Sequence, residues 1–498
     1  MAVGCRATPS IPRDNLCVTL HDQEARNYWT WSLHFCCMHV PIALNGWKSG
    51  LTLRAAMRAM SEAALPAAVF VLAWQRNWPV ELPGFDAARV PFAHYLPAVR
   101  LVELFALASA GAYALAGWPN LRRLMGGPHR AFLVSLLALW GVTLASSLWA
   151  VHRGLALAHA AHMAVWVSFA LMLACADWSM PRLTAAFLGG LLAHGAVGLL
   201  QVALQHFVGL GPRFGELPVT PQDTWASVVF AGPVRLLRAY GLSGHPNVLG
   251  GHAAIGLILS FGLLVTWPRV WRALIVIAWA IAWTLLLITF SRSAWLAAAA
   301  GSLAASVLLW RGRHWHRQTI TGALTLLAIV VFVTAGFAAV FQPFLAGRVD
   351  AASQPYEAFS VSERQGMIDV AGQLIASHPL SGVGAANFSS ASRELLGYPL
   401  DWVHNVPLLV TSEMGLIGLA AFLGMIGSML AVGWRRWRAR SISRWHALIG
   451  GSLVALLGVM WFDHYLWTAP QGALLWALLI GCWMADPRRL SIQESQEG

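Results

Sequence analysis

Residues 247–289 read NVLGGHAAIGLILSFGLLVTWPRVWRALIVIAWAIAWTLLLIT. Two apolar runs, 247–266 and 271–289, flank a short connection that carries Arg269 and Arg272. At 1.5 Å per residue, about 20 apolar residues span the roughly 30 Å hydrocarbon core of a bilayer. Each run is therefore long enough to cross once, and the connection returns the chain. A strand of a transmembrane barrel would alternate apolar and polar at period two, and neither run does so.

The same pattern extends outward in both directions. Further apolar runs fall near 60–75, 95–117, 131–149, 156–175, 183–207, 294–310, 320–342, 405–432, 446–462 and 467–485. The chain is 58% hydrophobic and only 11% charged, where a soluble domain has roughly a quarter charged residues. The expectation is an all-α polytopic membrane protein with about 12 transmembrane helices. Residues 60–485 form the membrane domain, 1–59 a polar N-terminal segment and 486–498 a tail. The segment 1–59 lacks the charged, apolar, small-residue order of a cleavable signal. It reads as disordered, or as lying upstream of a true start at Met57 or Met60. The six cysteines contain no C-x-x-C pair, so neither a disulfide framework nor a cysteine metal site is expected.

Net charge is +12, and Lys48 is the only lysine. The arginines lie in separate short loops and form no continuous stripe, which argues against nucleic acid as a partner. Taken alternately, the loops hold sixteen arginines on one side (118–130, 176–182, 267–272, 311–319, 433–445 and the tail) against seven in the short loops of the other. Positive charge marks the cytoplasmic side. Both termini are then cytoplasmic, and the long segments 208–246 and 343–404 face outward. Arginines that remain on the outer side run against this bias and invite a functional explanation.

Four stretches on that outer side carry candidate chemistry. In RLLRAYGLSGHPNVLG (235–250), glycines and Pro246 precede a helix expected to begin near Asn247, a good N-cap residue. The amides of that helix end, with Arg235 and Arg238 upstream, suit an anion. In LITFSRSAW (287–295), Arg292 sits in a tight connection between two apolar helices, where a cation usually marks a pathway or a bound anion. The 343–404 loop is longer than a connection requires. Its Met367, Val370, Leu374 and Ile375 have the spacing of an amphipathic helix on the membrane surface, with Arg364 in the first turn after a Ser362–Gln365 capping box. DWVHNVPLLVTSEMG (401–415) places His404 and Asn405 at the head of a helix and Glu413 about two turns inside. An imidazole there can accept a proton from a hydroxyl near neutral pH. Asp463 and His464 lie in the last outer loop and are candidates for the same cavity. Arg100 and Glu103 read as an internal ion pair. His159 and His162, without a nearby carboxylate or cysteine in sequence, are not taken as a metal site.

GLSGHPNVLG, TFSRSAW, ERQGMIDVAGQLIASHPLSGVGAANF and VHNVPLLVTSEMGLIGL, in this order on this topology, resemble the O-antigen ligase and polymerase family of bacterial envelope enzymes. The resemblance covers most of 235–430. It implies an inverting glycosyltransferase of the bacterial inner membrane that uses no metal or other cofactor. The implied donor is a glycan on undecaprenyl diphosphate at the periplasmic leaflet. The implied acceptor is lipid A–core in a ligase, or another repeat unit in a polymerase. The family's essential arginines fall on Arg238 and Arg292, its long-loop histidine falls on His404, and Arg364 sits where many members have an arginine. Arg235, Asn247, Asn405 and Glu413 complete the candidate set for diphosphate or acceptor binding.

Elementary chemistry agrees. A departing diphosphate gains negative charge that fixed arginines stabilise best where water is excluded. Two carboxylates flanking a glycosidic bond, the usual hydrolase arrangement, are not evident. A transporter or flippase of lipid-linked sugars is the alternative of another class. A transporter would usually show repeats between its halves and polar residues at mid-membrane; here the candidates gather at one face. Within the enzyme class, ligation to lipid A–core is favoured over polymerisation or protein O-glycosylation.

Overall fold

The computed structural model describes residues 53–80, 97–118, 120–349 and 355–485, within one compact unit spanning 51–498. Most of the polar segment 1–59 and all of the tail 486–498 lie outside the described residues. Helices dominate: α1 (Leu53–Phe70), α2 (Leu101–Leu115), α3 (Gly127–Ala145), α4 (Arg153–Cys175), α5 (Met180–Leu204), α6 (Pro246–Thr266), α7 (Arg272–Ile288), α8 (Arg292–Arg311), α9 (Arg317–Val349), α10 (Pro355–Ser377), α11 (Phe388–Leu396), α12 (Val406–Ala439), α13 (Arg444–Val459), α14 (Tyr465–Thr468) and α15 (Pro470–Met484). Each of the twelve expected apolar runs coincides with one of α1–α9, α12, α13 or α15. Eight of these are both long and apolar enough to cross a bilayer, while α2, α13 and α15 are apolar but shorter. The protein is a helical multi-pass membrane protein.

A helix apolar all round can be covered by protein or by lipid, so burial rather than hydropathy sorts centre from rim. Helix α6 is 94% buried, whereas α9, which has the highest hydropathy of the eight, is only 11% buried. So α6 sits at the centre, packed by α5, α7, α8 and α13, and α9 presents its apolar surface outward. Helices α8 and α13 meet most closely where Gly301 faces Gly451, backbone against backbone. Small residues at such crossings let dispersion replace the hydrophobic drive that lipid cannot supply.

The loops gather at two ends. At one, Gln75 N–H donates to Leu242 O, Val151 N–H to Val383 O, and Val406 N–H to Met460 O. At the other, a His314 ring nitrogen bonds Ile442 O, Arg436 donates to Trp483 O and Ala485 O, and Asn120 donates to Cys175 O. Every one of these bonds joins two loops of the same alternating set. The second end holds the fourteen arginines of the richer loop set that fall among the described residues.

Two short hairpins lie at the first end. Strand β1 (Asn77–Pro79) pairs antiparallel with β2 (Ala98–Arg100), and β3 (Val228–Ala231) with β4 (Val234–Leu237). The β3–β4 hairpin has its own small core of Val219, Ala226, Val228, Leu237 and Tyr240. The loop leading to it wraps around the Glu216 carboxylate, which accepts from the amides of Val208, Gly209, Leu210 and Gly211. Burial would raise the Glu216 pKa, but these bonds and one from Gln201 hold it below the usual carboxylate range.

The 343–404 segment is largely helical. Helix α9 continues past Pro343 to Val349, with non-helical dihedrals at Phe341. Helix α10 begins at Pro355, so Ser362 is not its cap and Arg364 lies in its third turn rather than its first. Its Met367, Val370, Ala371 and Leu374 are buried against the protein, on the side of α12. The amphipathic spacing is therefore satisfied by α12 and its neighbours.

Candidate functional site

A cavity of about 460 Å3 opens at the hairpin end, and Arg238, Asn247, Arg292, Arg348, Arg364 and His404 all line it. Six places along the chain supply these side chains. Arg238 follows β4, Asn247 opens α6, Arg292 opens α8, Arg348 ends α9, Arg364 comes from α10, and His404 precedes α12.

Arg238 is only 6% exposed. Its Nε donates to Thr289 O at 2.6 Å and its Nη2 to Asn247 Oδ1 at 2.6 Å. Asn247 Nδ2 then donates to Asp463 Oδ2 at 2.7 Å, and Asp463 Oδ1 accepts from the His464 amide at 2.9 Å. The His404 Nδ1 lies 3.7 Å from Asp463 Oδ1. A continuous polar chain thus links the buried arginine to the histidine through Asn247 and Asp463. The 463 carboxylate is buried, which alone would raise its pKa. The imidazoles of His404, His464 and His245 around it reverse that and hold it well below the usual range.

The cap of α6 falls two residues earlier than expected. His245 is the N-cap, and its Nδ1 accepts from the Asn247 amide at 3.1 Å. Since Nδ1 accepts, the neutral ring carries its proton on Nε2 and donates it to Ser227 Oγ at 3.0 Å. Burial, then the Arg238 charge, push the His245 pKa down to about 3. Because His245 caps the helix, the Asn247 side chain is released to bridge Arg238 and Asp463.

Arg292 and Arg348 tie the start of α8 to the end of α9 through backbone carbonyls. Arg292 Nη1 donates to Arg348 O at 3.1 Å, and Arg348 Nη2 donates to Phe290 O at 3.0 Å. Both spend donors on neutral carbonyls, and both still line the cavity. Several guanidiniums around one concave space form an anion site of the kind that planar donor forks favour.

Three expected residues are placed elsewhere. Arg235 turns back along its hairpin, donating to Asp223 O at 2.9 Å and stacking over Phe230. Asn405 is the N-cap of α12, accepting from the Leu408 amide at 2.9 Å. Glu413 is 1% exposed; it accepts from the Phe388 amide at 3.2 Å and lines a different cavity with Arg100, Glu103, His159 and His162. Conversely, Arg348 and His245 join the site without having been singled out. Arg348 had no distinguishing context, since the apolar run of its helix stops near 342.

A metal ion is a further chemical question. His404, Asp463 and His464 bring ligand atoms within 4.8 Å of one another, a donor set that suits a divalent ion. Both Asp463 oxygens, however, already accept hydrogen bonds from Asn247 and His464.

Residues 277–423 match the family model described as O-antigen ligase. A search of curated proteins finds no match to the chain. The matched segment runs from α7 into α12 and includes Arg292, Arg348, Arg364 and His404. The resemblance read from the sequence motifs therefore holds over these residues. Arg238, Asn247 and Asp463 lie outside the match and join the site through the fold.

Proposed function

With the O-antigen ligase family match as premise, we propose that this protein is an inverting glycosyltransferase of the bacterial inner membrane. It moves a glycan from undecaprenyl diphosphate to an acceptor hydroxyl at the periplasmic face, with lipid A–core as acceptor. The observation that carries the proposal is the convergence of four cavity-lining arginines with His404, which itself faces the Asp463 carboxylate.

Each residue then has a role. Arg238, Arg292, Arg348 and Arg364 bind the donor diphosphate. His404 accepts the proton of the acceptor hydroxyl, and Asp463 stabilises the imidazolium that results. The hydroxyl oxygen attacks the anomeric carbon from the face opposite the diphosphate. The bond between that carbon and the phosphate oxygen breaks, and its electron pair leaves with undecaprenyl diphosphate. Charge grows on the leaving oxygen as the bond breaks, so fixed guanidiniums stabilise the transition state more than the bound donor. The leaving group is a stable anion, so no general acid is required.

A turnover assay with purified protein in nanodiscs tests this, using undecaprenyl-diphosphate-linked glycan and lipid A–core. Wild type is expected to label lipid A–core. His404→Ala is expected to lose about 10²–10⁴-fold in rate, the usual contribution of a general base. Arg292→Ala is expected to lose transfer as well. Longer glycan still on the carrier lipid would identify a polymerase instead. Full transfer by His404→Ala would remove that histidine from the mechanism, and no transfer to any acceptor would return the transporter alternative.

A further inference from the structure

A second polar cavity adjoins the His464–His404 pair through Trp402 and Thr468. Arg100, Glu103, His159, His162 and Glu413 face it, with Trp166, Trp402 and Trp467 among its walls. Ionisable side chains within membrane helices are costly and usually mark a site, and here five share one space.

Some of them are already committed to each other. His162 Nδ1 is 2.7 Å from Glu103 Oε1, and its Nε2 is 2.8 Å from Arg100 Nη1. Arginine can only donate, so Nε2 accepts and the ring donates from Nδ1 to Glu103. Arg100 and Glu103 approach to 3.7 Å. His162 thus has both nitrogens engaged and offers nothing to a metal. Glu413 differs. Its carboxylate has the Phe388 amide and the Trp467 indole as donors, while its buried Oε2 makes no well-formed hydrogen bond. A buried carboxylate oxygen in a cavity calls for a hydroxyl or N–H donor from a ligand.

We propose that this cavity binds the hydroxyl edge of a sugar residue of the acceptor glycan. Carboxylates that accept from hydroxyls, an arginine that donates, and indole walls for the apolar face of the ring make up such a site. The cavity measures about 60 Å3, room for roughly four waters and so for the hydroxyl edge of one ring rather than a chain. Its position fits the chemistry. Trp402 and Thr468 line the cavity and also hold His464, through a 5.1 Å ring contact and a 2.8 Å Thr468 Oγ1 to Nδ1 bond. The His464 ring is 4.9 Å from that of His404. An acceptor sugar held there would lie beside the His464–His404 pair, and so within reach of the proposed base. This inference rests on the transferase reading above.

The test is steady-state kinetics in nanodiscs, varying lipid A–core at saturating donor and donor at saturating lipid A–core. Ala158→Phe fills the cavity without removing a polar group, and Glu103→Gln removes one carboxylate. Both variants are expected to raise the KM for lipid A–core about tenfold or more, as loss of one or two hydrogen bonds to hydroxyls would. The donor KM should stay unchanged. An unchanged acceptor KM, a fall in kcat alone, or an equal rise in both KM values would overturn the proposal while leaving the transferase assignment intact. If wild type transfers to no acceptor, the functional assignment fails by itself. The cavity is then judged by tryptophan fluorescence of the wild type titrated with delipidated core oligosaccharide. Saturable quenching that Ala158→Phe abolishes would sustain the subsite, and its absence would end it.

Discussion

Asp463 faces His404, anchors Asn247 and takes the His464 amide, so one carboxylate orders two side chains of the site and the backbone beside them. Asp463→Asn keeps the shape and removes the charge. The expected result is a loss of kcat on the order of 10²-fold, in line with weakening a general base, with donor KM unchanged; turnover at varied donor concentration checks it. The Asp463 charge should persist across the working pH range. Its folded pKa lies below the ordinary value near 3.9, so the stability it contributes is present above that value. It is lost only as pH falls through the folded value. His245 acts in the same sense, in a higher pH window. Its folded pKa is about 3 against roughly 6.5 for a free imidazole. Below about pH 6.5 the unfolded chain binds a proton that the folded site refuses, so stability falls on acidification. Between pH 7.5 and 5.5 the thermal midpoint in detergent should drop, and it should drop less in His245→Gln. An equal drop in both proteins would show that His245 does not titrate on unfolding.

Helix α12 is broken at Gly415, whose φ of 64° and ψ of −168° no other residue adopts without strain. The unwound turn is covered by 379–384. There Val383 and Gly384 donate to Ser412 O and Glu413 O, and Leu416 donates to Pro379 O. Irregular backbone at membrane depth is tolerated where protein covers it in this way. A Cβ on residue 415 would collide with the Leu380 carbonyl. Gly415→Ala is therefore expected to destabilise by about 1–3 kcal/mol, read as a lower thermal midpoint and a poorer folded yield. Gly427→Ala in the same helix meets nothing within 4 Å and should be neutral or slightly stabilising, as Ala is for Gly in a helix interior. Equal effects from the two substitutions would show that the break does not constrain the fold. Nothing in TSEMGLIG announces this turn, because the apolar run continues through it. For the same reason the true start of α10 and the reach of α9 to Arg348 were hidden. Apolar periodicity locates a helix body, while its ends follow from neighbours distant in sequence. Arg238, Arg292 and His404 could be read early because each breaks an apolar pattern near a helix start. Asn247 could be noticed but not assigned, since its task as a bridge depends on Asp463, 216 positions away.

At the scale of the whole molecule, loop arginines divide unequally between the two ends, and the site sits at the poorer end. That asymmetry was legible as soon as the loops were taken alternately, and the hydrogen bonds between loops group them in the same way. If positive-inside bias holds for this chain, the arginine-rich end is cytoplasmic, and the proposed transferase would have its cavity and guanidiniums on the periplasmic side. Those guanidiniums stand against the topological bias, which is what a bound diphosphate explains and topology alone does not. The orientation can be measured without any activity. Ser362 on α10 is exposed at the cavity end, and Ser441 is exposed between α12 and α13 at the other. In a background with Cys5, Cys17, Cys36 and Cys37 changed to serine, the remaining Cys175 and Cys482 are buried. A maleimide that cannot cross the inner membrane should label Ser362→Cys in whole cells with a permeabilised outer membrane. It should label Ser441→Cys only after the inner membrane is opened. The reverse pattern would put the diphosphate cavity in the cytoplasm, where a lipid-linked donor is assembled rather than consumed, and the proposed transfer to a periplasmic acceptor would fail with it.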